Sequence, residues 1–317
     1  MDDRLVAALD IGGTKIAGGL VDAGGRTVLI AATRPTPAGS DAAAVADAVG
    51  AVLGELAAAP AWPAVVAVGI GSAGPVDLPH GAVSPVNIPA WRDFPLVRLV
   101  AGHPAVAAAG LPVTLAGDAV AMAAGEHLHG AARNTENALC MVVSTGVGGG
   151  LILGGRVLAG ATGNAGHIGH ISVDMNGEPC PCGSRGCVER MASGPAIARY
   201  ALALGWRPSG ADASAEAVAA AARGGGDPAA LAAFARAAQA LAAGIAATAA
   251  LVEIDTVVIG GGVAEAGDVL FDPLRGWLAR YATLAFTRGI RVLPAQQGRH
   301  AGLVGAAACA ITALQPA

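Results

Sequence analysis

A strand, a loop of small residues and a hairpin occur twice in this chain of 317 residues, about 135 positions apart. In the first copy the apolar run at residues 4–9 meets Asp10-Ile11-Gly12-Gly13-Thr14-Lys15. Residues 16–21 and 27–32 then read as hairpin arms around a turn at 22–26. In the second, residues 138–143 meet Ser144-Thr145-Gly146-Val147-Gly148-Gly149-Gly150. Residues 151–153, a Gly154-Gly155 turn and residues 156–158 follow. Such a repeat predicts two domains on one plan, which the length allows.

The segments around these copies alternate between strand and helix. A helix is expected over about 41–58, a buried strand over 64–70, a loop over 71–94, a strand at 112–115 and a helix starting near Asp118. Beyond residue 190 the chain reads as mostly helical. Asp227-Pro228 places a capping side chain and a proline at the start of a long Ala-rich helix. A strand at 256–259, a Gly260-Gly261-Gly262 turn, a helix near 268–282, a strand at 290–293 and a final helix from about Gly302 complete an α/β pattern.

Composition removes several classes of function. At 54% hydrophobic residues and a net charge of −4, the chain is neither disordered nor suited to nucleic acid as a main partner. The soft run at 240–252 is short of the ~18–20 residues that span a bilayer. The acidic start lacks a signal peptide's basic and apolar regions, so a cytoplasmic protein without membrane attachment is expected. Lys15 is the only lysine among 19 basic residues, as if a compact ammonium were needed at that one position.

Three constellations carry chemistry. In Asp10-x-Gly12-Gly13-Thr14-Lys15, glycines let backbone amides approach phosphate oxygens, Thr14 and Lys15 add donors, and Asp10 can hold Mg²⁺. Ser144, Thr145, Gly146, Gly148 and Gly149 repeat that logic, and Gly260, Gly261 and Gly262 make a third glycine-rich strand end, suited to a nucleotide. Tight turn chemistry explains any one of these loops, but three are hard to assign to turns alone. The third constellation is His170 with Cys180, Cys182 and Cys187. One imidazole and three thiolates fill the tetrahedral shell of a structural zinc ion. Five cysteines, three within eight residues, do not form a disulfide framework.

Together with Gly163-Asn-Ala-Gly-His-Ile-Gly-His170 and Cys180-x-Cys182-x4-Cys187-x-Glu189, these motifs resemble the ROK family of repressors, open reading frames and sugar kinases. The resemblance runs from residue 5 to about 308. It implies two ribonuclease-H-like domains of the actin/hexokinase ATPase type flanking a cleft. The expected boundaries are 1–116 plus about 301–317 for a small domain with the first phosphate loop, and 117–300 for a larger one with the other loops and the zinc site. It also implies an ATP-dependent kinase acting on the C6 hydroxyl of a hexose or N-acylhexosamine, with ATP, Mg²⁺ and structural zinc bound. By the same resemblance Asp118 matches the catalytic base, and Gly74, Asn87, His167, His170 and Glu189 match sugar-contacting positions. A homodimer or homotetramer is expected.

Two departures bear on the substrate. Many family glucokinases have Glu where this chain has His167, and Asn where it has Gly117. The His167 context is similar to N-acetylmannosamine kinases, since an imidazole tolerates a bulkier, neutral acylamino group better than a carboxylate, whereas residues 84–91 resemble glucokinase-type members more. Asp118 also reads as the N-cap of the helix it precedes. A different reading is a sugar-binding regulator without catalysis. Only nine residues precede Asp10, so the winged helix-turn-helix of family repressors is not expected.

Overall fold

The computed structural model describes residues 4–314, and the chain divides into two compact units. The first takes the described chain up to Arg133, Val157–Ala165 and everything from Gln297; the second takes Asn134–Arg156 and Gly166–Gln296. The boundary therefore falls after the helix that begins at Asp118, where the sequence placed it before. The reason is packing: that helix lies along the C-terminal helix, the largest helix–helix contact in the chain. The units are also of similar length, where a small and a larger one were expected.

In the first unit β1 (Leu5–Ile11), β2 (Lys15–Asp22) and β3 (Val28–Pro35) form an antiparallel meander. Helix α1 (Ala42–Ala57) follows, its first turn capped by the Asp41 carboxylate, which accepts from the Ala44 amide at 2.8 Å. Strand β4 (Val65–Ser72) runs parallel to β1. The segment expected as a loop holds a two-stranded ribbon, β5 (Val76–Asp77) and β6 (Ala82–Val83). Short helices α2 (Leu96–Ala101) and α3 (Pro104–Ala109) lead to β7 (Val113–Gly117), parallel to β4, and α4 (Asp118–His129). The sheet order is β3-β2-β1-β4-β7.

The second unit repeats the plan. Strands β8 (Ala138–Val143) and β9 (Val147–Leu153) pair antiparallel, and β10 (Arg156–Leu158), at whose first residue this segment of the unit ends, extends the sheet's edge. Helices α5 (Val188–Ala192), α6 (Gly194–Ala203), α7 (Ala215–Gly225) and α8 (Pro228–Val252) precede β11 (Thr256–Gly260), α9 (Asp268–Tyr281) and β12 (Arg291–Pro294). The order β10-β9-β8-β11-β12 is that of the first sheet. Helix α10 (Ala301–Leu314) returns to the first unit and covers β1 and β4.

The apolar runs of β1, β4, β8 and β11 are buried because helices cover them, as expected of parallel central strands. Helix α8, at 25 residues, is long and apolar enough by length and composition to cross a bilayer, beyond the shorter run read from the sequence. Its Phe234, Leu241 and Ile245 are instead buried in the second unit's core with Leu270 and Leu274 of α9. The Asp227 carboxylate accepts from the Ala230 amide at 2.9 Å, realising the expected cap.

Candidate functional site

Register gathers the first unit's chemistry at one sheet edge. Ile11 of β1 lies opposite Ser72 of β4, and Ser72 lies opposite Gly117 of β7, so Asp10 and Asp118 emerge from the C-terminal ends of parallel strands. That edge is where open α/β sheets bind ligands. Burial and the Asp118 carboxylate push the Asp10 carboxyl up to about 6, while Lys15 pulls the other way. A carboxylate whose proton affinity a second carboxylate raises belongs to a donor set that a divalent cation relieves. An alanine at Gly302, near the start of α10, would collide with the Asp10 carboxylate, so that glycine seats it.

Asp118 is the first residue of α4 and is exposed; the helix N-cap is Gly117. Its Oδ1 accepts from the Ala119 amide at 2.7 Å. The expected capping role is thus not realised, because the backbone turns into helix one residue earlier. Gly12, Gly13 and Thr14 form the turn between β1 and β2, with the Gly12 amide donating to the Lys15 carbonyl at 3.0 Å. Lys15 opens β2 and is exposed. Asn87 is exposed on a loop pinned by buried Ile88 and Trp91, the latter stacked on Phe94 at 4.2 Å. Asn87 lies over Gly13: a Cβ there would come within 2.5 Å of its Cγ. Gly74 stands at the end of the same strand-edge turn, its carbonyl accepting from the Val86 amide at 3.3 Å.

In the second unit the loop proper is shorter than its glycine run. Ser144 to Gly146 turn on a 2.8 Å bond from the Ser144 amide to the Gly146 carbonyl, and Thr145 is exposed. Gly148 and Gly149 stand in β9, opposite Val142 and Met141, so they belong to the ladder and not to the turn. They serve close packing: a Cβ on Gly149 would come within 2.8 Å of the Gly166 carbonyl. Gly169 likewise lies against the Val147 carbonyl, leaving no room for a side chain. Small residues thus draw the segment carrying His167 and His170 onto the phosphate-loop strand. Gly260 ends β11, Gly261 has φ +89°, and Gly262 follows it; the Val263 amide donates to the Val143 carbonyl at 3.0 Å. This third turn therefore lies beside the second loop.

Glu189, in the first turn of α5, reaches that loop too. Its Oε2 accepts from the Val147 amide at 2.8 Å, and a Cβ on Gly146 would come within 2.7 Å of the same oxygen. His167 is exposed, its ring 6.2 Å from that of His170.

The structure brings His170, Cys180, Cys182 and Cys187 together, with their donor atoms all within 4.8 Å of one another. Cys180 Sγ lies 3.8 Å from His170 Nδ1, and Cys182 Sγ 3.7 Å from Cys187 Sγ. Zinc–sulfur bonds of ~2.3 Å at tetrahedral angles put sulfurs about 3.8 Å apart, so the cluster fits a zinc ion. Burial and the neighbouring Cys180 and Cys182 sulfurs push the Cys187 thiol up to about 12, a crowding that a bound cation relieves. Arg190 and Arg199 both pair with Glu178, at 2.8 and 3.2 Å, tying the cysteine loop to α5 and α6.

Two further residues stand out. Glu126 of α4, fully buried, accepts from the Ala131 amide at 2.7 Å and the Gln297 amide at 2.9 Å. Asn164 brackets β5, accepting from the Val76 amide at 2.9 Å and donating to its carbonyl at 2.6 Å. A lone acid in the apolar run of α4 was the available sign of the first; nothing local marks the second.

Comparison with known proteins agrees with this geometry. Glucokinase from Streptomyces coelicolor is 36% identical over 319 residues, covering 96% of each chain. N-acetylmannosamine kinase from Yersinia pseudotuberculosis is 36% identical over 312 residues, covering 97% of this chain and 98% of that one. The crystal structure of a ROK family glucokinase from Streptomyces griseus, in complex with glucose and AMPPNP, matches with a TM-score of 0.80 and 37% identity over 97% of this chain and 99% of that one. The ROK family's sequence description matches residues 6–313. With that match over nearly its whole length, two sheets of one order, glycine-rich strand ends and a cluster of one histidine and three cysteines, this chain belongs to the ROK family.

Proposed function

We propose that the protein is an ATP-dependent kinase that phosphorylates the C6 hydroxyl of a hexose or N-acylhexosamine. The observation that carries this reading is the pair of carboxylates at the strand edge: Asp118, exposed at the head of α4, and Asp10, its proton affinity raised by burial and by Asp118. One suits proton abstraction, the other cation binding. Asp118 accepts the proton of the C6 hydroxyl as its oxygen forms a bond to the γ-phosphorus, and the bond to ADP breaks. Asp10 is the residue that would hold Mg²⁺, which when bound neutralises charge on the transferring phosphoryl group.

The remaining roles follow from residue chemistry and family likeness. Amides of the Gly12–Thr14 and Ser144–Gly146 turns and the Lys15 ammonium receive phosphate oxygens. The third turn, Gly260–Gly262, receives the rest of the nucleotide. Gly74, Asn87, His167, His170 and Glu189 contact the sugar, with the zinc ligands fixing the loop that carries the two imidazoles. The relatives named glucokinase and N-acetylmannosamine kinase support both sugar classes. His167 favours the acylated sugar, because an imidazole accommodates a bulkier, neutral acylamino group at C2 better than a carboxylate does. A coupled assay of ADP release with glucose, mannose, N-acetylglucosamine and N-acetylmannosamine tests the proposal. Turnover is expected with at least one of the four; ADP release independent of every sugar would refute it.

A further inference from the structure

Two phosphate-loop glycines meet a neighbouring side chain in the same way. A Cβ on Gly13 would lie 2.5 Å from Cγ and 2.6 Å from Nδ2 of Asn87, and one on Gly146 would lie 2.7 Å from Oε2 of Glu189. Neither glycine has a left-handed φ, so neither is required by its backbone conformation. Neither collision involves backbone of another element: at Gly146 it falls on the end of the Glu189 side chain, while at Gly13 it reaches along Asn87 to its Cβ, 2.7 Å away. By contrast, a Cβ on Gly12, in the same turn as Gly13, meets only the Lys15 carbonyl, at 3.4 Å. What the two positions share is the neighbour. Asn87 and Glu189 are the residues assigned above to sugar contact, one in each unit. Glu189 is also bonded to the loop, through the Val147 amide at 2.8 Å.

We propose that Gly13 and Gly146 are positioning residues for the sugar: their missing side chains leave the space in which Asn87 and Glu189 are held in sugar-binding orientation. The inference rests on the sugar-kinase reading and adds that each phosphate loop sets the affinity for the acceptor as well as receiving the donor. A methyl group at Gly146 pushes the Glu189 carboxylate off the Val147 amide, and one at Gly13 pushes Asn87 away together with the loop that carries it. Hydrogen bonds to the sugar are then lost in a protein that has bound no nucleotide. Glu189 also carries the effect in reverse, since a sugar that engages its carboxylate steadies the Val147 amide and the turn before it.

The experiment measures sugar affinity without nucleotide, by calorimetry or ligand-observed NMR, for the intact protein with D-glucose and N-acetylmannosamine. Gly13→Ala and Gly146→Ala should each weaken binding of the preferred sugar about tenfold, in variants that still unfold in one cooperative transition. Gly54→Ala, on α1 with open space around it, should bind sugar as wild type does. In a double-mutant cycle, Gly146→Ala should add nothing to the loss caused by Glu189→Ala, and Gly13→Ala nothing to that of Asn87→Ala. Wild-type sugar affinity in Gly13→Ala and Gly146→Ala would overturn the inference, as would losses that add to those of Asn87→Ala and Glu189→Ala. A wild-type protein that binds neither sugar would instead overturn the kinase reading on which it rests.

Discussion

Asp10 shows how a functional carboxylate opposes stability. Its folded value of about 6 lies above the ordinary 3.8 because burial and Asp118 disfavour the charged form. The protonated form therefore stabilises the fold fully below pH 3.8, and this advantage is lost as pH rises through about 6. Asn imitates the neutral acid, so Asp10→Asn should gain up to about 3 kcal/mol over wild type at pH 8 and little at pH 4. Urea unfolding at the two pH values checks this, and the variant should lose Mg²⁺-dependent turnover. Asp118 makes a different prediction. Asp118→Asn keeps the shape and a hydrogen-bonding group but cannot take a proton, so turnover should fall roughly 10²–10⁴-fold. Sugar affinity should be largely kept, which calorimetry would show. The N-cap is Gly117, so this loss would not come from uncapping α4.

At the scale of elements, α4 joins the site to its frame. Its first residue is Asp118, and near its other end buried Glu126 holds the amides of Ala131 and Gln297. Glu126→Ala strands both amides, and chemical denaturation should show a loss of about 2–5 kcal/mol. Glu126→Gln retains an accepting oxygen and should lose less. The cluster of His170, Cys180, Cys182 and Cys187 makes a metal prediction for the cysteine loop. Purified protein should carry one zinc per chain, and Cys182→Ser or Cys187→Ser should lower that content in metal analysis. Because thiolate ligation couples metal to local folding, a chelator should raise amide exchange in the segment from Ile168 to Val188.

The whole molecule has separate cores, one around Trp91, Leu53 and Ile70 in the first unit, another around Phe234, Leu241 and Leu270 in the second. Zinc removal should therefore spare exchange in β1 and β4 while loosening residues around the cysteine loop, and mass spectrometry of exchanged fragments resolves the two. The order of elements could be read before any coordinates. Alternation of apolar runs with Gly-rich ends depends on local sequence, and so do Asp41 and Asp227 as caps and the spacing of Cys180, Cys182 and Cys187. A repeated strand–loop–hairpin implied two sheets of one plan because the same local pattern selects the same pairing. Turn and strand were harder to separate at Gly148 and Gly149, since glycine suits both and only pairing with Val142 and Met141 decides. The boundary after α4 was likewise hidden, because contacts with α10 join residues far apart in the chain. By itself the sequence pointed to the candidate residues and to the main strands and helices, since side-chain type and periodicity are local properties. Only the tertiary structure decided that Asp10 answers Asp118, that Glu126 holds Gln297, and that Gly13 and Gly146 leave space for Asn87 and Glu189. Proximity, burial and excluded volume come into being when distant segments pack.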